Sequence, residues 1–96
     1  MKPSAALHAN RGRLRTLLET QCVDNVRIFG SAVAGTDTES SDLDVLIDPR
    51  PETTLFDLSL LQQAMEALLG VPVDLRTPSE LPIAFRDQVL ASAQPL

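Results

Sequence analysis

The sequence predicts an α/β fold: a small mixed sheet of about three strands with flanking helices, in the order α-β-α-β-α-β-α. Three observations carry this expectation. Residues 23–29, VDNVRIF, alternate Val and Ile with polar residues, the period of a half-buried strand. Leu58, Leu61, Met65 and Leu68 recur at 3-4-3 spacing, the period of a helix with one apolar face. Strand-like and helix-like segments also succeed one another along the whole chain, which indicates helices packed on a sheet.

Each element has its own signals. Residues 4–20 read as a helix, with Ser4 as a cap and Leu7, Leu14, Leu17 and Leu18 on one stripe; Asn10–Arg13, which includes Gly12, weakens the pattern. Gly30 ends the first strand, and SAVA (31–34) is a short helix-competent turn. GTDTESS (35–41) has the composition of a loop. LDVLID (43–48) is a second strand, closed by Pro49 and Pro51. Thr54 and Asp57 form a capping-box pattern that opens the next helix, and Gly70 stops it. VPVDL (71–75) is a third strand. The last helix spans about 80–92, with Pro82 in its first turn.

Composition limits the function. A chain of 96 residues is expected to form one domain, 1–96. With 44 % hydrophobic residues but three Phe and no Trp or Tyr, its core must be built from Leu, Val and Ala. A net charge of −5 with eight scattered basic residues argues against direct nucleic-acid binding, which needs a basic face. No apolar run reaches the ~18 residues of a membrane span, and the N-terminus lacks the apolar core of a signal peptide. Cys22 is the only cysteine, so a reducing cytoplasm is expected, and Cys22 itself reads as a small half-buried apolar residue. His8 reads as a surface helix residue.

The chemistry concentrates in residues 28–48. Asp37, Glu39, Asp42, Asp44 and Asp48 stand there with no lysine or arginine. Asp42 and Asp44, two apart at the start of a strand, project to the same face. Asp74 in the third strand joins them if that strand pairs beside the second. Three converging carboxylates repel one another, and a divalent oxygen-loving cation, Mg²⁺, resolves the conflict. Gly30-Ser31, where a strand turns into a short helix, offers backbone N–H groups and a hydroxyl to a phosphate. Asp37, Glu39 and Asp48 read as solvated loop or strand-end charges.

The pattern Gly30-Ser31, ten residues, Asp42-x-Asp44, then Asp74 in a later strand resembles the DNA polymerase β-like nucleotidyltransferase superfamily. More narrowly, FGSAVAG, SDLDVLID, LFDLSLLQQAMEALLG, VPVDLRTP and FRDQVL are similar to successive blocks of the minimal nucleotidyltransferases of prokaryotes. The resemblance covers roughly residues 5–92. It implies the nucleotidyltransferase fold, with ATP as substrate and Mg²⁺ as cofactor. It places Asp42, Asp44 and Asp74 as catalytic and metal-binding carboxylates, and Gly30 and Ser31 as triphosphate contacts. It also implies a partner, a HEPN-type RNase toxin, to whose tyrosine AMP is transferred, so that the chain acts as antitoxin.

This sequence departs from the family at one position. Many relatives carry an arginine immediately before the second glycine, where this chain has Ala34 before Gly35. Arg76, two residues after Asp74 and on the same strand face, is the residue expected to contact the nucleotide instead; its plainer reading is a salt bridge to the acids. The missing arginine favours the alternative of a catalytically weak antitoxin that neutralises its partner by binding alone. A third reading, modification of a small molecule, fits less well because such enzymes usually complete the acceptor site with a second domain.

Overall fold

Leu43, Val45 and Ile47 are completely buried, and the strand that carries them is the centre of the molecule. The structure, a computed structural model, describes residues 1–96. In chain order it contains α1 (Pro3–Glu19), β1 (Val23–Phe29), α2 (Ser31–Ala34), β2 (Leu43–Pro49), α3 (Leu55–Leu69), β3 (Val73–Arg76), a 3₁₀ turn (Pro78–Glu80), α4 (Ile83–Ser92) and β4 (Gln94–Pro95). The strands lie in the order β3-β2-β1-β4. β1 is antiparallel to both β2 and β4, whereas β2 and β3 run parallel, joined through α3. The sheet is mixed, as expected, but has four strands rather than three.

The sheet has two unlike faces. Leu43, Val45, Ile47, Val73 and Ile28 join Leu7, Leu14 and Leu18 of α1 and Leu61, Met65 and Leu69 of α3 in one hydrophobic core. The opposite face carries Asp44, Leu46, Asp48, Asp74 and Arg76, set by strand alternation. β1 reaches this arrangement through a bulge between Asp24 and Arg27, where Asn25 adopts φ +52°. The bulge breaks strict alternation, so that both Val23 and Ile28, five apart, are buried. Phe29 is thereby set opposite Asp44, and Ile28 opposite Val45.

Helix α1 runs unbroken through Asn10–Arg13. Gly12 lies on its exposed side and costs about 1 kcal/mol relative to alanine. Burial of Leu7, Leu14 and Leu18, at roughly 1.5–3 kcal/mol each, outweighs that cost. The helix begins one residue earlier than expected, with Lys2 as N-cap, and Ser4 makes no capping bond through its hydroxyl. Instead the Ser4 backbone N–H donates to Asp37 Oδ2 at 2.8 Å. Asp37 is therefore not a solvated loop charge. It is buried, and it fastens the loop before β2 to the positive end of α1.

α3 follows its sequence signals closely. Thr54 N–H donates to Asp57 Oδ2 at 2.9 Å and Asp57 N–H to Thr54 Oγ1 at 3.1 Å, a reciprocal capping box. Gly70 closes the helix in the left-handed region. Two α3 side chains also cover the free edge of β3: Glu66 Oε2 accepts from Val73 N–H at 2.9 Å, and Gln62 Oε1 from Leu75 N–H at 3.4 Å. These outward N–H groups are thus occupied on an edge strand that would otherwise be open to pairing.

Other boundaries shift. β3 covers 73–76 rather than 71–75. The final helix starts at Ile83 after the separate 3₁₀ turn, because Pro82, fixed in an extended conformation, serves as its N-cap. Cys22 is exposed rather than half-buried. No helix is long and apolar enough to cross a membrane.

The Asp37 contact gives a pH-dependent prediction. Its hydrogen bonds from Ser4 hold the carboxyl below its ordinary value. A depressed carboxylate stabilises the fold above its unfolded pKa and loses that contribution as the pH falls through the folded value. Asp37→Ala should lower the melting temperature by several degrees at pH 7, and the gap to wild type should shrink below about pH 4. Thermal melts followed by circular dichroism across that range check it.

Candidate active site

The site is assembled on the open face of the sheet. In the parallel pairing of β2 with β3, Asp44 lies in register with Asp74, so the two carboxylates belong to one face. Asp42 precedes β2 by one residue and is exposed. It is near enough to Asp44 for its charge to act on that carboxyl. The loop before it is held by Thr38 and Ser41: Thr38 N–H donates to Ser41 Oγ at 2.9 Å, and Ser41 N–H to the Thr38 carbonyl at 3.1 Å.

Gly30 brings the turn to the acids. It adopts φ +75°, a conformation that glycine enters at no steric cost. A Cβ there would overlap Asp44 Oδ2 and lie 3.1 Å from Asp44 Cγ. Only a residue without a side chain lets the strand-to-helix turn and the β2 carboxylate pack together. The N–H groups of Ser31 and Ala32, at the first turn of α2, lie outside the helix's own hydrogen-bond ladder. That ladder begins with Val33 and Ala34 donating to the Gly30 carbonyl at 3.2 and 3.0 Å.

Electrostatics distinguish the three acids. Asp44's pKa is raised, first by burial and then by the charges of Asp74 and Asp42, with Arg76 opposing. Asp42 and Asp44 accept no hydrogen bond from the protein, whereas Asp74 is paired: Arg76 Nε lies 3.1 Å from each of its carboxylate oxygens. This pair is only partly buried, and it holds the guanidinium still more firmly protonated. No set of three or more acidic, His or Cys side chains is arranged as a preformed metal cage. The donors nevertheless fit a hard divalent cation: Asp42 and Asp44 present unpartnered carboxylates, and Asp74 shares their face.

The structure thus brings together Asp44, Asp74, Gly30 and Arg76, with Asp42 and Ser31 at the border. Asp48 is not a free strand-end charge. It accepts from Arg27 Nη2 at 2.8 Å and from Asn25 Nδ2 at 3.1 Å. Arg27 was not singled out by sequence because strict alternation from Val23 would turn it toward the core; the bulge turns it to the opposite face, where it lies level with the buried Leu46. The largest cavity, about 470 Å³, lies between α1, α2, β1 and β4 and is lined by Ser4, Leu7, His8, Arg11, Ile28 and Ala32, among others. None of the acids borders it. The acids occupy open surface, and their chemistry marks the site better than its concavity does.

The family described as nucleotidyltransferase domain matches residues 11–95. The chain belongs to the nucleotidyltransferase domain family. It is 37 % identical over 76 residues to the protein adenylyltransferase MntA of Thermococcus cleftensis, covering 79 % of this chain and 77 % of that protein. A solved structure of a candidate minimal nucleotidyltransferase superposes with TM-score 0.84 at 39 % identity, covering 97 % of this chain and 95 % of that one. A toxin–antitoxin complex solved with AMP-PNP superposes with TM-score 0.73 at 22 % identity, covering 90 % and 71 %, and so supports the fold alone. The nucleotidyltransferase fold expected from the sequence is the one observed.

The strain on Asp44 is testable without any ligand. A raised carboxyl pKa means that ionisation costs the folded state stability. That cost is absent below the unfolded pKa and fully present once the pH exceeds the folded value. Asp44→Asn should therefore melt above wild type at pH 7, with the difference vanishing toward pH 4 and below. Paired thermal melts at the two pH values measure it.

Proposed function

We propose that this nucleotidyltransferase-family chain transfers AMP from ATP to a tyrosine on a HEPN-type RNase toxin, with Mg²⁺ as cofactor, and thereby acts as its antitoxin. The observation that carries this reading is the contact of Asp44 with the Gly30 turn, combined with the register of Asp44 and Asp74. It sets carboxylates beside a phosphate-suited turn on one accessible face. The similarity to a protein adenylyltransferase supports a protein acceptor. A cytoplasmic location goes with this assignment.

Each residue has a role in the proposal. Asp42, Asp44 and Asp74 would hold the metal, whose charge would offset that of the phosphates and polarise the reacting phosphorus. Gly30 and Ser31 contact the triphosphate through backbone N–H groups and the Ser31 hydroxyl. Arg76, released from Asp74, pairs with phosphate oxygens as a charge-assisted donor. The tyrosine oxygen attacks the α-phosphorus, the new O–P bond forms as the bond to the β-phosphate oxygen breaks, and pyrophosphate leaves. Asp74 assists removal of the phenolic proton, whose ordinary pKa is near 10. The acceptor cannot be a tyrosine of this chain, which has none. It must arrive on a partner's surface, and holding it in line supplies several kcal/mol of the barrier.

The reaction test uses purified chain, the RNase partner, ATP and Mg²⁺, with mass spectrometry of partner tyrosines. An added adenylyl group is expected with wild type and absent with Asp42→Asn/Asp44→Asn or in EDTA, while the double variant keeps its fold by circular dichroism. Equal silencing of the toxin by wild type and double variant, with no adduct, would replace the proposal with neutralisation by contact. That second reading is favoured by the absent arginine at Ala34 and by the pairing of Asp74 with Arg76.

Ala34 is exposed at the end of α2, so an arginine can be accommodated there. Ala34→Arg should tighten ATP binding by about 1–3 kcal/mol, the worth of a charge-assisted contact. Isothermal calorimetry with Mg²⁺ present measures it; unchanged affinity would mean that Arg76 already fills the role.

A further inference from the structure

Helix α4 has the composition of an interior helix and stands outside the core. Its sequence, IAFRDQVLAS, sets Ile83 and Leu90 on one side and Phe85 and Val89 on another, a pattern expected of a helix covered on several faces. Yet none of its residues is buried, and no other element packs broadly against it. Ile83 is 84 % exposed, Phe85 58 % and Leu90 39 %.

The helix is nevertheless held in place at both ends. Leu81 just before it is buried, and Arg86 Nη2 donates to the Ser79 carbonyl at 3.2 Å and the Leu81 carbonyl at 2.9 Å. Just after it, β4 pairs with β1, and Leu96 N–H donates to the Val26 carbonyl at 3.1 Å. A helix fixed at its ends, with only Arg86 and Val89 half-buried along its length, is already ordered for binding, so little conformational entropy remains to be lost. Its exposed apolar side chains mark a contact surface.

The charge on this surface decides between occupants. Ile83, Asp87 and Leu90, at i, i+4 and i+7, share one stripe. Asp87 is exposed and belongs to none of the chain's ion pairs, while its neighbour Arg86 is engaged with carbonyls. In a two-fold antiparallel pairing of α4 with a second copy, the axis would pass near the middle of the helix. Ile83 would meet Leu90 about an axis between Arg86 and Asp87, setting the two Asp87 carboxylates side by side in a contact stripped of water, while each flanking Arg86 is engaged by the Ser79 and Leu81 carbonyls. The net charge of −5 adds to that repulsion. A foreign surface with apolar side chains and a Lys or Arg opposite Asp87 meets no such penalty.

We propose that the Ile83–Asp87–Leu90 stripe of α4 is the docking surface for the RNase partner, a protein that must itself be cationic to hold an RNA backbone. The identity of the partner rests on the function proposed above; the surface is the new assignment. The test titrates the separately purified HEPN-type RNase of the same genome against wild type, Asp42→Asn/Asp44→Asn, Ile83→Asp, Leu90→Asp and Asp87→Lys. The double active-site variant should bind like wild type. Ile83→Asp and Leu90→Asp should each weaken binding about tenfold or more, and Asp87→Lys about tenfold, with the melting temperatures of Ile83→Asp and Asp87→Lys unchanged because both residues are exposed, and with circular dichroism showing Leu90→Asp to be folded. Undiminished binding by all three α4 variants would overturn the surface while leaving the partner in place. No binding even to wild type would instead overturn the partner, and the surface assignment with it. Light scattering should find the wild-type chain monomeric; a dimer abolished by Ile83→Asp would make a second copy the occupant and refute the proposal.

Discussion

The register of β2 is the constraint on which the rest of the molecule depends. Leu43, Val45 and Ile47 are wholly buried against α1 and α3, and strand geometry then fixes Asp44 on the opposite face. A slip of one residue would exchange the two sets, exposing three large side chains and driving a carboxylate into the core. Burying an unpaired ionised group costs far more than any single hydrophobic contact returns. The core therefore holds the position of the acid, although the acid contributes nothing to the core. From that fixed strand, antiparallel pairing sets Phe29 and the Gly30 turn beside Asp44, and parallel pairing sets Asp74 in register with it.

The face carrying the acids gives up stability. Asp44 is disfavoured as an ion by burial and by its two acidic neighbours, and the protein supplies it no hydrogen-bond donor. Three other carboxylates are paired: Asp48 with Arg27, Asp24 with Arg50, and Asp74 with Arg76. Leaving Asp42 and Asp44 unpaired beside a glycine turn is a local conflict of the kind that concentrates at functional sites. The Arg76–Asp74 pair moderates the conflict from one side only. A single Nε–H shared between both oxygens, with the Arg76 and Asp74 side chains 41 % and 34 % exposed, is also easily exchanged for another charged partner.

The C-terminal part of the chain works differently. α4 contributes nothing to the core, but the segments on either side of it are fixed, by Leu81 in the interior and by β4 on the edge of β1. That edge would otherwise present unpaired backbone groups, as would β3, whose outward N–H groups are met by Glu66 and Gln62. The outer side of β3 and part of the outer side of β1 are thus met by the chain itself, and exposed apolar surface is concentrated on helices, at Leu55 and Phe56 of α3 and along α4.

By itself the sequence determined the elements whose signals are local. The capping box of Thr54 and Asp57, the stop at Gly70, the apolar stripes of α1 and α3, and the strands around Ile28 and Val45 depend on neighbours a few residues away, and they read correctly. The grouping of Asp42 and Asp44 with Gly30-Ser31 was legible for the same reason, since a two-residue period and a glycine turn are local facts. What required the tertiary structure was set by contacts between distant residues. β4 is two residues long and contains Pro95, so it has no strand propensity; it exists because α4 returns the chain to the edge of β1. Asp37 looked like a loop charge because its partner, Ser4, lies 33 residues away. The bulge at Asn25 turned Arg27 to the opposite face against the alternation of its own strand. The pairing of Asp74 beside Asp44 depended on sheet order, which no local pattern encodes and which the parallel crossover through α3 decided.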